Sequence, residues 1–117
     1  MKMQNQYDYL KSDCIDGVEP VEATASWTIT DSRDETITIT TAILPDGAWV
    51  YGYVVYWGKG GTSMKLPSAE LGKFRTQRDA KLHALGFIKI YLSYFMPDTR
   101  ESIRIAESSL LQGDLFD

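Results

Sequence analysis

The stretch Ala48–Trp57, AWVYGYVVYW, leaves this chain few ways to fold. In an extended segment, successive side chains point to opposite sides. Trp49, Tyr51, Tyr53, Val55 and Trp57 then share one face, and Val50, Val54 and Tyr56 share the other, with Gly52 among them. β-branched and aromatic residues favour a strand over a helix. Because both faces are apolar, this strand is expected at the centre of a sheet and covered on both sides. Gly52 leaves a gap where a large ring from a neighbouring element is expected to sit.

The flanking sequence supplies partners for that strand. Ala23–Thr30 reads as a first strand, with Trp27 and Ile29 on one face, and Asp31-Ser32-Arg33-Asp34 has turn chemistry. Glu35–Leu44 alternates Ile37, Ile39 and Ile43 against Thr36, Thr38 and Thr40, the pattern of one core face and one wet face. Pro45-Asp46-Gly47 is a tight turn into the central strand. Gly58–Ser63 is read as the next chain reversal, Met64–Leu66 as a short edge strand before Pro67, and Ser68–Phe74 as a loop carrying Phe74 into the core.

Thr76–Phe95 is predicted to be the main helix. Thr76 is the N-cap, and Asp79 sits three residues on, near the positive end of the dipole. Ala80, Ala84, Phe87, Ile88, Tyr91 and Phe95 make its apolar stripe, with Leu85 and Leu92 at the flank. Pro97 stops it. Asp98–Leu111 is predicted as a second, shorter helix capped by Asp98, with Ile103, Ala106 and Leu110 inward. The fold class is therefore α+β: a three- or four-stranded antiparallel β-meander packed on one face by the long helix, with the shorter helix beside it. Residues 1–22 form an N-terminal arm or a short helix over Asn5–Ser12, residues 23–111 one domain, and residues 112–117 a peptide tail.

At 117 residues the chain fits one core. No apolar run approaches the roughly 20 residues of a membrane span, and Met1–Gln6 is polar with no apolar segment of a signal peptide, so a cytoplasmic location is expected. Cys14 and His83 are each the only residue of their kind, so neither an internal disulfide nor a clustered metal site is expected, and no cofactor. His83 reads as a partly exposed helix residue and Cys14 as packing. Glycine-rich GKGGTS lacks the P-loop spacing, and no carboxylate pair or nucleophile–base pair stands out, so an enzyme is not expected.

The net charge of −4 is unevenly distributed. Residues 1–50 carry three cations against nine carboxylates, and residues 96–117 two against five. Residues 58–90 carry seven cations against two carboxylates. Within that stretch Lys59, Lys65, Lys73, Arg75, Arg78 and Lys81 are the candidate nucleic-acid contacts, and an ordinary solvated surface is the alternative.

Three resemblances follow from particular residues. Gln112-Gly113-Asp114-Leu115-Phe116 resembles the peptide by which bacterial replication and repair proteins hold the sliding clamp, typically Gln, Leu, Ser or Asp, Leu, Phe. Four of the five positions match, with Gly113 at the second. Average composition puts such a match in only about a few chains per thousand of this length. Gln112, Asp114, Leu115 and Phe116 are therefore the candidate partner-binding residues, with Leu115 and Phe116 as apolar plugs for a groove. The alternative is that both fold back on the sheet. Trp57-Gly58-Lys59 with Gly60-Gly61 resembles the Trp-Gly-Arg signature of WGR domains, small sheet-plus-helix modules of nucleic-acid-dependent enzymes. Lys59 stands where that family has Arg, and a lysine ammonium is a point charge without the guanidinium's fork. The element order is also similar to the double-stranded RNA-binding fold. Here, though, the helix start carries only Arg78 and Lys81, and the 31–34 loop is mostly acidic.

The resemblance of the tail implies a non-enzymatic accessory or adaptor protein of bacterial DNA metabolism, encoded by a phage or mobile element, with the sliding clamp as partner and a basic middle that meets nucleic acid. The alternative is a protein-interaction module, including a homo-oligomer using exposed aromatic strand surface, with no nucleic-acid link.

Overall fold

The structure, a computed structural model, describes residues 20–112. The expected helix over Asn5–Ser12, Cys14 and the tail residues Gly113–Asp117 lie outside the described residues. Four strands, β1 (Ala25–Asp31), β2 (Thr36–Ile43), β3 (Trp49–Trp57) and β4 (Gly60–Ser68), make one antiparallel sheet in chain order. Two helices follow, α1 (Gln77–Ile88) and α2 (Pro97–Gln112). Both pack on one face of the sheet, so the fold is the expected α+β meander.

β3 is central. It pairs with β2 from Trp49 to Tyr56 and with β4 on its other side. Tyr51, Tyr53 and Val55 are buried, and they share one core with Ile37 and Ile39 of β2 and with Ala80, Ala84, Leu85 and Ile88 of α1. The Tyr53 ring lies 4.9 Å from Phe87, centroid to centroid. The Pro45–Gly47 turn closes as expected, with Leu44 N–H bonded to Ala48 C=O at 2.8 Å and Gly47 at φ 89°.

The other face of β3 departs from expectation. Among the described residues no helix packs on that face, and Tyr56 stays 44% exposed there. No ring fills the space at Gly52. The register slips between Tyr51↔Ser68 and Tyr53↔Met64, so β4 bulges across Gly52. A Cβ at Gly52 would fall 2.3 Å from the Met64 carbonyl oxygen and 2.9 Å from the Leu66 carbonyl carbon. The bulge reaches as far as β2, where the Thr40 hydroxyl donates to the Lys65 carbonyl at 2.9 Å. Backbone, not an aromatic ring, is what that glycine admits.

β4 is also longer than expected. The reversal is a two-residue turn at Gly58-Lys59, and Trp57 already pairs with Gly60. After β4, the Ser68 hydroxyl accepts from Glu70 N–H to start one 3₁₀ turn, Ala69–Leu71. Phe74 and Trp49 then exchange two backbone hydrogen bonds, at 2.7 and 2.8 Å, an isolated bridge that holds Phe74 against the core.

Thr76 caps α1 by accepting from Asp79 N–H at 3.0 Å. The helix changes to 3₁₀ geometry over Lys89–Tyr94. In a 3₁₀ helix residues three apart eclipse. Tyr91 and Tyr94 are thereby brought to one side, where both stack on Trp57, at 5.3 and 4.7 Å. Trp57 is consequently half-buried, not fully enclosed, and Leu85, expected at the flank, is fully buried.

α2 starts one residue earlier than expected and runs through Gln112. Asp98 is inside the helix and is not its cap. Met96 accepts the first intrahelical bond, from Arg100 N–H at 3.1 Å, and Pro97 takes the first helical position. A methionine side chain cannot cap. Glu35, the residue before β2, does so instead: it is 5% exposed and accepts from Met96 N–H at 2.9 Å and from the Thr99 hydroxyl. The carboxylate lies where the positive end of the helix dipole favours it.

Two glycine substitutions separate these effects. Gly52→Ala is expected to lower stability by about 2–3 kcal/mol, because only backbone stands in its way. Gly86→Ala, on α1 with nothing near its would-be Cβ, is expected to raise it by roughly 0.5–1 kcal/mol. Urea denaturation of both variants checks the pair.

Candidate functional site

Of the tail residues, Gln112 is described. It ends α2 and is exposed, as is Leu111 before it. Asp114, Leu115 and Phe116 lie outside the described residues. The helix end that leads to them is held in place from α1. The Arg78 Nε–H donates to the Leu110 carbonyl at 2.6 Å, and its NH2 to the Leu111 carbonyl at 3.5 Å. A guanidinium there satisfies carbonyls that the helix leaves without partners and complements its negative end.

The cations of the basic stretch do not gather into one surface. Lys59 sits in the β3–β4 turn, beside Trp57. Lys73 and Arg75 flank Phe74, which bridges Trp49 at the opposite end of β3. Nine strand residues separate these ends, roughly 27–30 Å. Lys65 lies on the β4 bulge. Several cations are already engaged. Lys73 pairs with Asp46 at 2.9 Å, where the Ala48 N–H and then the Lys73 ammonium hold the Asp46 carboxyl below its usual range. Lys81 lies 4.9 Å over the Trp27 ring, and Lys89 pairs with Glu107 at 2.9 Å. Arg78 holds α2. Lys59, Lys65 and Arg75 are exposed. Asp46, Lys73, Phe74 and Arg75 also line an open depression of about 400 Å³.

One cluster has no counterpart in the sequence reading. The Tyr51 hydroxyl lies 3.0 Å from His83 Nδ1, and Phe74 packs 4.9 Å from the imidazole. Burial, with the neighbouring Tyr53 as a lesser cause, pushes the Tyr51 phenol up to about 12. The phenol therefore keeps its proton well above neutral pH, and the imidazole tautomer sets which of the two groups donates. The arrangement ties the exposed face of α1 to the centre of the sheet. The signal available in sequence was the placement of Tyr51 on the core face and of His83 beside Ala84. Among the described residues, no three His, Cys, Asp or Glu side chains stand close enough to hold a metal ion.

A second open groove, about 300 Å³, runs between β1 and α2 and is lined by Trp27, Ile29, Ile105 and Ala106 among others. Trp57 and Tyr94 form an aromatic surface at the far end of β3, with Tyr94 57% exposed. No helix among the described residues is long and apolar enough to cross a membrane.

The raised Tyr51 phenol has a measurable consequence. An unfolded tyrosine loses its proton near its ordinary value of 10.0, while the folded phenol holds it until about 12. The contribution of Tyr51 to stability is thus complete below about pH 10 and falls away between pH 10 and about 12. Urea midpoints across that range should drop more steeply for the wild type than for Tyr51→Phe. Parallel curves would contradict the assignment.

Comparison with known proteins adds no assignment: no family model, no curated protein and no solved structure matches this chain.

Proposed function

We propose that this chain is a non-enzymatic accessory protein of bacterial DNA metabolism, encoded by a phage or mobile element, whose C-terminal peptide Gln112–Phe116 holds the sliding clamp. The observation that carries the reading is the peptide itself: four of five positions match, immediately after an exposed helix end. The anchoring of α2 by Arg78 supports it, because a tether works from a fixed base. Leu115 and Phe116 would each contribute roughly 1.5–3 kcal/mol on burial, before the cost of ordering the peptide. Nucleic-acid contact, within this reading, falls to the exposed Lys59, Lys65 and Arg75, and their separation favours a diffuse contact. The resemblance to WGR domains rests on Trp57-Gly58-Lys59, which forms the tight turn closing β3 and β4.

A second reading, a protein-interaction module without nucleic acid, is favoured by the exposed Tyr94 stacked on Trp57 and by the exposed Met96 nearby in sequence.

The test is titration of a purified bacterial sliding clamp into the labelled protein. Wild type is expected to bind at micromolar concentration, about −8 kcal/mol. Gln112→Ala and the double change Leu115→Ala with Phe116→Ala should abolish binding without altering the fold, and Gly113→Leu should tighten it. If wild type and the double variant bind equally, or neither binds, the clamp reading fails and the second reading stands.

A further inference from the structure

We propose that the chain pairs with a second copy of itself through the free edge of β1, forming a twofold dimer with a continuous sheet. Among the described residues, β1 ends the strand order and its ladder runs to β2 alone. Among the described residues, no backbone group of β1 bonds to anything on its outer side. Such an edge is a template for another strand unless it is blunted. From Ala25 to Thr30 it reads Ala-Ser-Trp-Thr-Ile-Thr, with neither charge nor proline, and one register shift between Thr28 and Thr30. The opposite edge is managed differently. Both edges carry a register shift, but β4 adds Lys65 and Pro67, and Val21 N–H bonds the Pro67 carbonyl at 2.9 Å.

The groove between β1 and α2 adjoins the same edge. Ile105, on its rim, is 54% exposed, while Trp27 and Ile29 are half-buried below it. Backbone edge and apolar groove form one two-layer surface.

A second copy is the occupant these observations favour. The described chain leads away from this edge: Thr24 N–H bonds Thr41 of β2, and Val21 N–H bonds Pro67 of β4, so residue 20 lies on the far side of the sheet. An antiparallel edge related by a twofold axis is its own complement, each donor meeting an acceptor. Charge does not oppose the pairing: Ala25–Thr30 is uncharged, Asp31 lies at the very end of β1 and so opposite the Ala25 end of an antiparallel copy, and Glu101 and Arg104 on α2 neutralise each other. Seven strand residues span roughly 23 Å. A two-layer contact of that length buries on the order of 1,000 Å² in total, the lower end for a specific interface and the size of a reversible one. This inference is independent of the tail and its partner.

Sedimentation velocity of the full chain, from about 1 µM to about 300 µM, tests it. The expected result is a reversible doubling of mass. Ile105→Lys and Ser26→Lys should each weaken the dimer about tenfold or more by setting like charges near the axis. Ile90→Lys, at an exposed residue on the 3₁₀ stretch, should leave it unchanged. Thermal unfolding confirms that each variant is folded, and Ser26→Lys decides alone if Ile105→Lys is not. A monomer at every concentration, growth beyond the dimer, or a dimer equally strong in all variants would overturn the proposal. In the first case the edge is left to an extended peptide of another protein.

Discussion

Everything in this domain depends on burying the core-facing side of β3. Tyr51, Tyr53 and Val55 are enclosed from above by α1 and from one side by β2. The aromatic contacts continue along the strand: Phe74 and His83 meet Tyr51, Phe87 meets Tyr53, and Tyr91, Tyr94 and Phe95 gather on Trp57. Rings of that size bury large areas, and their tilted and offset packing adds to the gain. α1 must therefore run over β3, and its final turn tightens to 3₁₀ because Trp57 offers a flat face for two tyrosines. α2 has less apolar surface of its own. It is held at its start by Glu35 and near its end by Arg78, so two long-range polar contacts set where it lies.

Much of this was legible in the sequence, and the missing parts share a cause. Local signals worked. The Ile/Thr alternation of β2, the aromatic alternation of β3, the Pro-Asp-Gly turn and the Thr76 cap each specify their own conformation. Long-range contacts left no local trace. Glu35 looks like the polar first residue of a strand, and nothing nearby in sequence marks it as the cap of a helix more than sixty residues on. Asp98 looked like that cap because the Asp-Thr-Arg-Glu run fits the pattern, although Pro97 belongs inside the helix. β4 reads as mostly loop in sequence because its first residues are glycine, threonine and serine. Its pairing comes from β3, and the Tyr56 ring covers Gly61 across the ladder. The bulge over Gly52 could not be told from a ring filling the same space, since both require a missing side chain.

The candidate site was legible in a different way. A run of cations in sequence suggested one surface, but the meander places its members at both ends of β3 and engages several of them within the fold. Charge that folding uses for capping, ion pairing or stacking on Trp27 is not available to a polyanion in the same degree. Composition could not reveal that division, because it depends on Asp46, Trp27, Glu107 and the end of α2 being near in space. The peptide after α2 belongs to the opposite case. A short linear motif needs no fold to be recognised, so its sequence carries the hypothesis directly. If β1 also pairs with its copy, each particle carries two such peptides, and linked weak sites gain avidity over either alone.

Native-state hydrogen exchange measures the hierarchy on which this account rests. Amides of β2 and β3 that bond across the central ladder should exchange only on global unfolding, since opening them exposes the whole aromatic core. The Lys89–Tyr94 stretch and, at concentrations low enough to keep the chain monomeric, the outward amides of β1 should exchange by smaller openings. Protection of β1 or the 3₁₀ stretch equal to that of β3, or a β3 that exchanges faster than α2, would contradict the central role given to Trp49–Trp57.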